Sequence, residues 1–140
     1  MKRKIAVTAV TLVLITGIVL YLIYYNRGRF YGYLETNANF YISDFEIMNG
    51  SDYHTLELEK GDTLLVHFET EKGSLNMEID APDGIEVYSG NGKDVTDFTV
   101  NIPESGTYSV NIKANHARGK IYIQKSEEVN ERASEYSENV

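Results

Sequence analysis

Three histidines, His54, His67 and His116, are the side chains best suited to acid–base or metal chemistry. Their positions form neither a helical His-x-x-x-His face nor a local ligand spacing of the zinc kind, so they read as ordinary surface histidines. Two acidic pairs raise the question of calcium: Asp80 and Asp83 flank Pro82, and Asp94 and Asp97 follow Asn91-Gly92. Calcium takes roughly six to eight oxygens gathered by one loop. Neither pair fits an EF-hand loop or a glycine-aspartate repeat, so both read as a solvated acidic face. Ser105, in Glu-Ser-Gly-Thr-Tyr, lacks the Gly-x-Ser-x-Gly elbow and its strand-to-helix setting. It reads as a turn. Glycoside hydrolysis needs two carboxylates facing across a cleft, and a β-domain of this size offers little depth. These residues point to no enzyme, no metal and no cofactor.

The eleven tyrosines are more suggestive. Exposed aromatic rings stack on sugars or anchor protein interfaces. Tyr53, Tyr88 and Tyr122 fall at outward or edge positions and are the candidate contact residues, whereas Tyr108 has inward parity and belongs to a core.

The elements that would position these residues alternate with period two from about residue 39, with turn signals every eight to twelve residues. Phe40 to Met48 is β-rich, and its alternation slips near Asp44, where a bulge is expected. Asn49-Gly50, Lys60-Gly61-Asp62, Lys72-Gly73 and Pro82-Asp83-Gly84 read as turns, and Asn91-Gly92 as a hairpin turn. Between them Leu56/Leu58, Leu64/Val66/Phe68, Leu75/Met77/Ile79, Phe98/Val100/Ile102, Tyr108/Val110/Ile112 and Ile121/Ile123 share inward faces. A loop is expected over 115–119. About eight strands result, which is the pattern of an all-β, antiparallel sandwich over residues 39–125. Residues 126–140 are acidic and poor in apolar side chains, and read as a disordered tail.

Ahead of this domain, Ile5 to Tyr25 is uncharged. As a helix rising ~1.5 Å per residue, the run matches a hydrocarbon core about 30 Å thick. A cleaved signal peptide has a shorter apolar region and a small-x-small site. This run instead closes on Tyr21, Tyr24, Tyr25, Asn26 and Arg27, an interfacial belt with a charged edge. An uncleaved single-pass anchor is expected over residues 5–25, with a basic cytoplasmic start over 1–4 and a juxtamembrane connector over 26–38. Phe30, Tyr31 and Tyr33 of that connector either rest on the headgroup layer or form the first strand's edge. Lys2, Arg3 and Lys4 before the helix, against Arg27 and Arg29 after it, favour an N-inside orientation in the plasma membrane. From Phe30 onward eight Lys and Arg stand against twenty-one Asp and Glu, a field that repels phosphate backbones and argues against nucleic acid. The absence of cysteine removes disulfides and thiol chemistry, and fits an exported bacterial protein.

Four stretches, EKGDTLLVHF, GSLNMEIDAPDG, FTVNIPESGTYSVNI and ARGKIYI, carry a resemblance. Their Gly-Asp, Pro-Asp-Gly and Ser-Gly-Thr-Tyr turns, over Glu59 to Ile123, resemble the GOLD-like and bacterial pre-peptidase C-terminal group of small β-sandwiches. That resemblance implies a jelly-roll-like sandwich of two antiparallel sheets used as a binding or accessory module. Cargo-receptor GOLD domains precede a C-terminal membrane helix and pre-peptidase domains accompany a protease, neither of which is the arrangement here. The expectation is therefore a non-enzymatic extracytoplasmic module. It would meet membrane lipid through its helix and an envelope or membrane protein through its β-domain. The alternative is a carbohydrate-binding module that contacts cell-wall or exogenous glycans, which a cluster of exposed tyrosines would favour.

Overall fold

A computed structural model of the chain describes residues 1–127; the remainder of the expected tail, residues 128–140, lies outside the described residues. Helix α1 spans Lys2–Tyr25 and is long and apolar enough to cross a membrane. Its three threonines need no outside partner. Thr8, Thr11 and Thr16 donate their hydroxyls to the carbonyls of Lys4, Val7 and Leu12, each at 2.9 Å. The helix thus satisfies its own polar groups, which is the condition for an apolar solvent.

Six antiparallel strands follow among the described residues: β1 (Arg29–Thr36), β2 (Phe40–Leu58), β3 (Thr63–Asp80), β4 (Glu86–Gly90), β5 (Asp97–Asn101) and β6 (Gly106–Lys125). Their order is β1-β2-β6-β3-β4, with β5 also on β3, and the sheet does not close into a barrel. The eight expected strands resolve into fewer because three of them are long and unbroken. Asn49-Gly50 lies within β2, Lys72-Gly73 within β3, and the expected loop at 115–119 within β6. Each of these sites is a register shift: between Phe45 and Gly50 in β2, and between Thr70 and Ser74 in β3 against β6. The slip foreseen at Asp44 therefore falls slightly later. Asn91-Gly92 does not close a hairpin. It opens a loop that carries the chain from β4, at one end of β3, to β5 at the other. The loop is pinned to β3 by Thr70 N–H donating to Gly92 O and Phe68 N–H to Thr96 O.

These shifts change the parity of the inward face. Before them β3 buries Leu64, Val66 and Phe68; after them it buries Leu75, Met77 and Ile79. Likewise β6 moves from Tyr108, Val110 and Ile112 to Ile121 and Ile123, and β2 from Tyr41 and Phe45 to Leu56 and Leu58. An odd step on each strand keeps one face of the sheet apolar along its whole length, where an unshifted strand would expose half of it. The shifts also let β2 turn back on itself. Tyr41 and His54 would lie roughly 43 Å apart along a straight strand at about 3.3 Å per residue. Their ring centroids are 5.7 Å apart. The Tyr41 hydroxyl donates to Asp52 Oδ2 at 2.7 Å, and Glu57 N–H to Ala38 O at 2.7 Å. Burial, then the Asp52 carboxylate, pushes the Tyr41 pKa far up, so this phenol is a donor at every ordinary pH.

Gly73 holds a close approach along this line of shifts. It has φ +68°, and a Cβ there would run into the carbonyl oxygens of Asn115 and His116 on β6. Gly61 also has positive φ, +94°, but faces open space. Gly61→Ala is expected to cost about 1 kcal/mol, from backbone conformation alone. Gly73→Ala should cost more than about 3 kcal/mol, because strain and a backbone clash combine. Denaturant melts of the detergent-solubilised full chain check this; equal losses at the two sites would show that the fold line is not sterically closed.

Candidate functional site

The sheet divides at its line of shifts into unequal parts. The first contains β1, Phe40–Met48 of β2, Ala117–Lys125 of β6, Thr63–Thr70 of β3 and β5; the second contains the remaining halves of β2, β6 and β3, with β4. The first has one strand more, and that strand is β1. It lies within the stretch expected as a connector and, among the described residues, pairs only with β2. Every residue from Phe30 to Thr36 is exposed. Phe30 and Leu34 extend the core face, opposite Met48 and Ser43; Tyr31 and Tyr33 extend the outer face, opposite Ile47 and Asp44. Between the inner side of β1 and the start of the second half of β2 runs an open groove of about 470 Å³. It is lined by Arg29, Phe30, Leu34, Met48, Ser51 and Asp52, among others. Its chemistry is an apolar floor beside a strand that hydrogen-bonds on one side to β2, suited to receiving an extended segment.

The outer face of the first half carries a charged network. His67 Nδ1 lies 2.8 Å from Asp97 Oδ1, and His67 Nε2 lies 3.4 Å from Glu69 Oε2. With its two ring nitrogens taken from opposite sides, His67 directs neither carboxylate to a common point, and no metal-binding group of three is found among the described residues. The His67 ring tilts against Tyr122 at 5.7 Å, and the Tyr122 hydroxyl reaches Asp44 at 3.4 Å. Burial and then Asp44 raise the Tyr122 pKa. Arg118 pairs with Glu46 at 3.2 Å and Glu71 at 2.9 Å. A shallow pocket of about 440 Å³ lies over Leu65, His67, Asp97, Phe98 and Tyr122. It holds no positioned nucleophile.

The three candidate tyrosines are not brought together. Tyr53 is 64% exposed on the second half, opposite Asn111. Tyr122 lies on the first half, between Ile42 and His67. Tyr88 pairs with Ile79 and is half-buried, its ring stacked on Phe98 at 4.3 Å; the stack joins β4 to β5, and burial raises its pKa. No platform forms from these rings. Tyr108 is fully buried and donates to Glu104 O. The other chemically suggestive residues serve turns and joints. Asp83 accepts from Ile85 N–H, Asp80 accepts from the Asn111 amide, and Ser105 accepts from Lys60 N–H. His54 contacts Asn37 O at 2.7 Å. His116, with φ +46° in β6, contacts Tyr25 O at the end of α1.

The exposed strand was within reach of sequence reasoning. In RFYGYLET, Phe30, Gly32 and Leu34 alternate with Tyr31, Tyr33 and Glu35, a strand period with β-prone aromatics. Comparison with protein-family models and with curated protein sequences gives no match for this chain.

The His67 hydrogen bond holds the Asp97 carboxyl below its usual pKa. A carboxyl depressed in the folded state contributes stability above its unfolded pKa, near about 3.9, and loses it as pH falls through the lower folded value. Asp97→Asn should therefore flatten this part of the acid limb in a plot of melting temperature against pH. An unchanged acid limb would show that the pair is not coupled to folding.

Proposed function

We propose that this chain is a bacterial, membrane-anchored extracytoplasmic interaction module without catalytic activity, whose β-domain pairs with an extended segment of an envelope or membrane protein. α1 serves as an uncleaved signal-anchor in the plasma membrane, with Lys2, Arg3 and Lys4 in the cytoplasm and the acidic β-domain outside. The two halves of the bent sheet act as the layers of a small jelly-roll-like sandwich. The return of β2 onto itself supports this reading, as do the turn motifs resembling the GOLD-like and pre-peptidase C-terminal group.

The observation that carries the proposal is β1. An eight-residue edge strand with Phe30 (44% exposed), Tyr31 (72%), Tyr33 (55%) and Leu34 (45%) is the kind of edge that soluble proteins usually guard with charge, proline or a covering element. A strand added beside it would gain main-chain hydrogen bonds and place alternate side chains over Phe30 and Leu34 on one side and Tyr31 and Tyr33 on the other. Burying each such aromatic or aliphatic side chain contributes about 1.5–3 kcal/mol, against about 0–1 for each surface ion pair on the neighbouring face. The apolar edge, more than the charged network, is where binding energy is available. The scatter of Tyr53, Tyr88 and Tyr122 offers the glycan reading no platform.

A photo-reactive residue placed at Tyr31 or Leu34 in the full-length chain, irradiated in native membranes, should yield discrete protein adducts. The same residue at Ile85, an exposed site in the turn between β3 and β4, should not. Tyr31→Lys with Leu34→Lys should lower recovery of the same partner at least about ten-fold, as loss of interface anchors does. Adducts equally abundant at Ile85, or retention on cell-wall glycan with no protein adduct, would replace this reading with a different surface or with the carbohydrate alternative.

A further inference from the structure

The line of shifts is bonded to the end of the helix. The Tyr25 ring stacks on His116 at 4.0 Å and 20°, and His116 Nε2 lies 2.8 Å from Tyr25 O. Asn49 bridges the two elements: its amide donates to Arg27 O at 3.1 Å, and its Oδ1 accepts from His116 N–H at 3.1 Å. Only residues 26–28 separate α1 from β1. Where α1 spans a membrane, the reading on which this inference rests, Tyr24 and Tyr25 mark the headgroup level. The shifted segments of β2, β3 and β6 then come next to it.

Charge is sorted along the same direction. Residues 26–29, 46–50, 71–74 and 113–118 contain five basic side chains (Arg27, Arg29, Lys72, Lys113, Arg118) and two acids (Glu46, Glu71). Elsewhere from residue 30 to 127, four basic residues stand against fifteen acids. Both acids of the first set pair with Arg118, and Lys72, Lys113, Arg27 and Arg29 form no ion pair among the described residues. The Arg29 guanidinium lies over the Tyr24 ring, 5.0 Å from its centroid. Its Nε is buried without an acceptor among the described residues.

We propose that this fold line is a docking face for the anionic phospholipid headgroups of the membrane that α1 enters. Lys72, Lys113, Arg27 and Arg29 meet lipid phosphates, and Arg29 sits at the mouth of the groove beside β1. The acidic remainder of the domain is repelled by the same surface, so attraction at one end and repulsion elsewhere set a single orientation.

The chain has no cysteine, so single labels are straightforward. The full-length chain, carrying a fluorophore at Ser74→Cys or at Glu104→Cys, is reconstituted in phosphatidylcholine vesicles with and without phosphatidylglycerol. Headgroup-quencher lipid is included in both. Quenching should be stronger at position 74 than at 104, rise with phosphatidylglycerol and fall with added salt. Lys72→Glu with Lys113→Glu, at two exposed sites that leave the core untouched, should return it to the neutral-vesicle level. Arg29→Gln should lower the docked-to-undocked ratio by about five-fold, the usual weight of one basic residue at an anionic surface. Equal quenching at the two positions, or quenching at 74 that ignores phosphatidylglycerol, overturns the docking face while the anchor stands. Release of the chain by alkaline carbonate overturns the spanning reading, and the docking face with it.

Discussion

Three neighbouring strands change register along one line across the sheet, and the rest of the domain depends on their doing so together. A strand has period two, so a single uncompensated slip would send its remaining apolar residues to the wrong face. β2, β3 and β6 each make an odd step at this line, and Tyr41, Phe68 and Ile121 therefore share one core face with Leu56, Leu75 and Ile112. Two backbone features permit this close passage: Gly73 in the left-handed region against β6, and His116 at positive φ opposite it. A non-glycine residue at positive φ is uncommon and strained. His116 is held there by Asn49, Asn115 and Tyr25, so its strain is supported from three directions.

If the two parts face each other as the proposed sandwich has them, strands match in pairs and β1 is left over. Among the described residues Phe30 and Leu34 keep their apolar parity but lack the cover that Phe45 and Leu58 enjoy. The domain's buried core and its exposed edge are thus products of one geometry. The outer network around His67, Tyr122 and Arg118 is of a different kind. Its members are half-exposed and paired in contact with water, where each pair adds little and salt weakens it further. It specifies the outer surface of the sheet without supplying much energy.

Much of the fold was legible in the residues. Period-two alternation placed the large core side chains from Leu56 to Ile123, including Tyr108, on their correct side, because parity is local. It assigned none within Phe40 to Met48, where Tyr41 and Phe45 are buried. What alternation could not tell was whether Asn49-Gly50 and Lys72-Gly73 end a strand or bend one. Both outcomes can use the same residues, since a bulge and a turn alike can place a glycine at positive φ, as Gly50 and Gly73 are. The deciding contact is with β6, dozens of residues away. Asn91-Gly92 misleads for a related reason: its partners in hydrogen bonding lie on β3, not across a hairpin. The site was less legible than the fold. Tyr88 has the right type for an exposed anchor, yet its ring is spent on Phe98, and that pairing arises only when β4 and β5 flank the same strand. β1 was half legible: Phe30, Tyr31 and Tyr33 suit a first strand's edge, but closeness to the helix lets the same stretch read as a connector.

The junction joins these two stories. A long, pliable linker would let the β-domain sample every orientation above a bilayer, and the exposed edge would be presented at random. Here three residues separate helix from strand, and a ring stack with two hydrogen-bond contacts closes the gap. With α1 in a membrane as proposed, β1 begins within a few residues of the headgroups, and its exposed side chains lie in the layer where another membrane protein's juxtamembrane segment would run. Confinement to that layer raises the effective concentration of any partner anchored in the same bilayer, whereas a soluble partner gains nothing from it. An edge strand that would be an aggregation hazard on a freely diffusing protein is thereby restricted in what it can meet. The anchor and the unguarded edge make physical sense together, because the first limits the partners of the second.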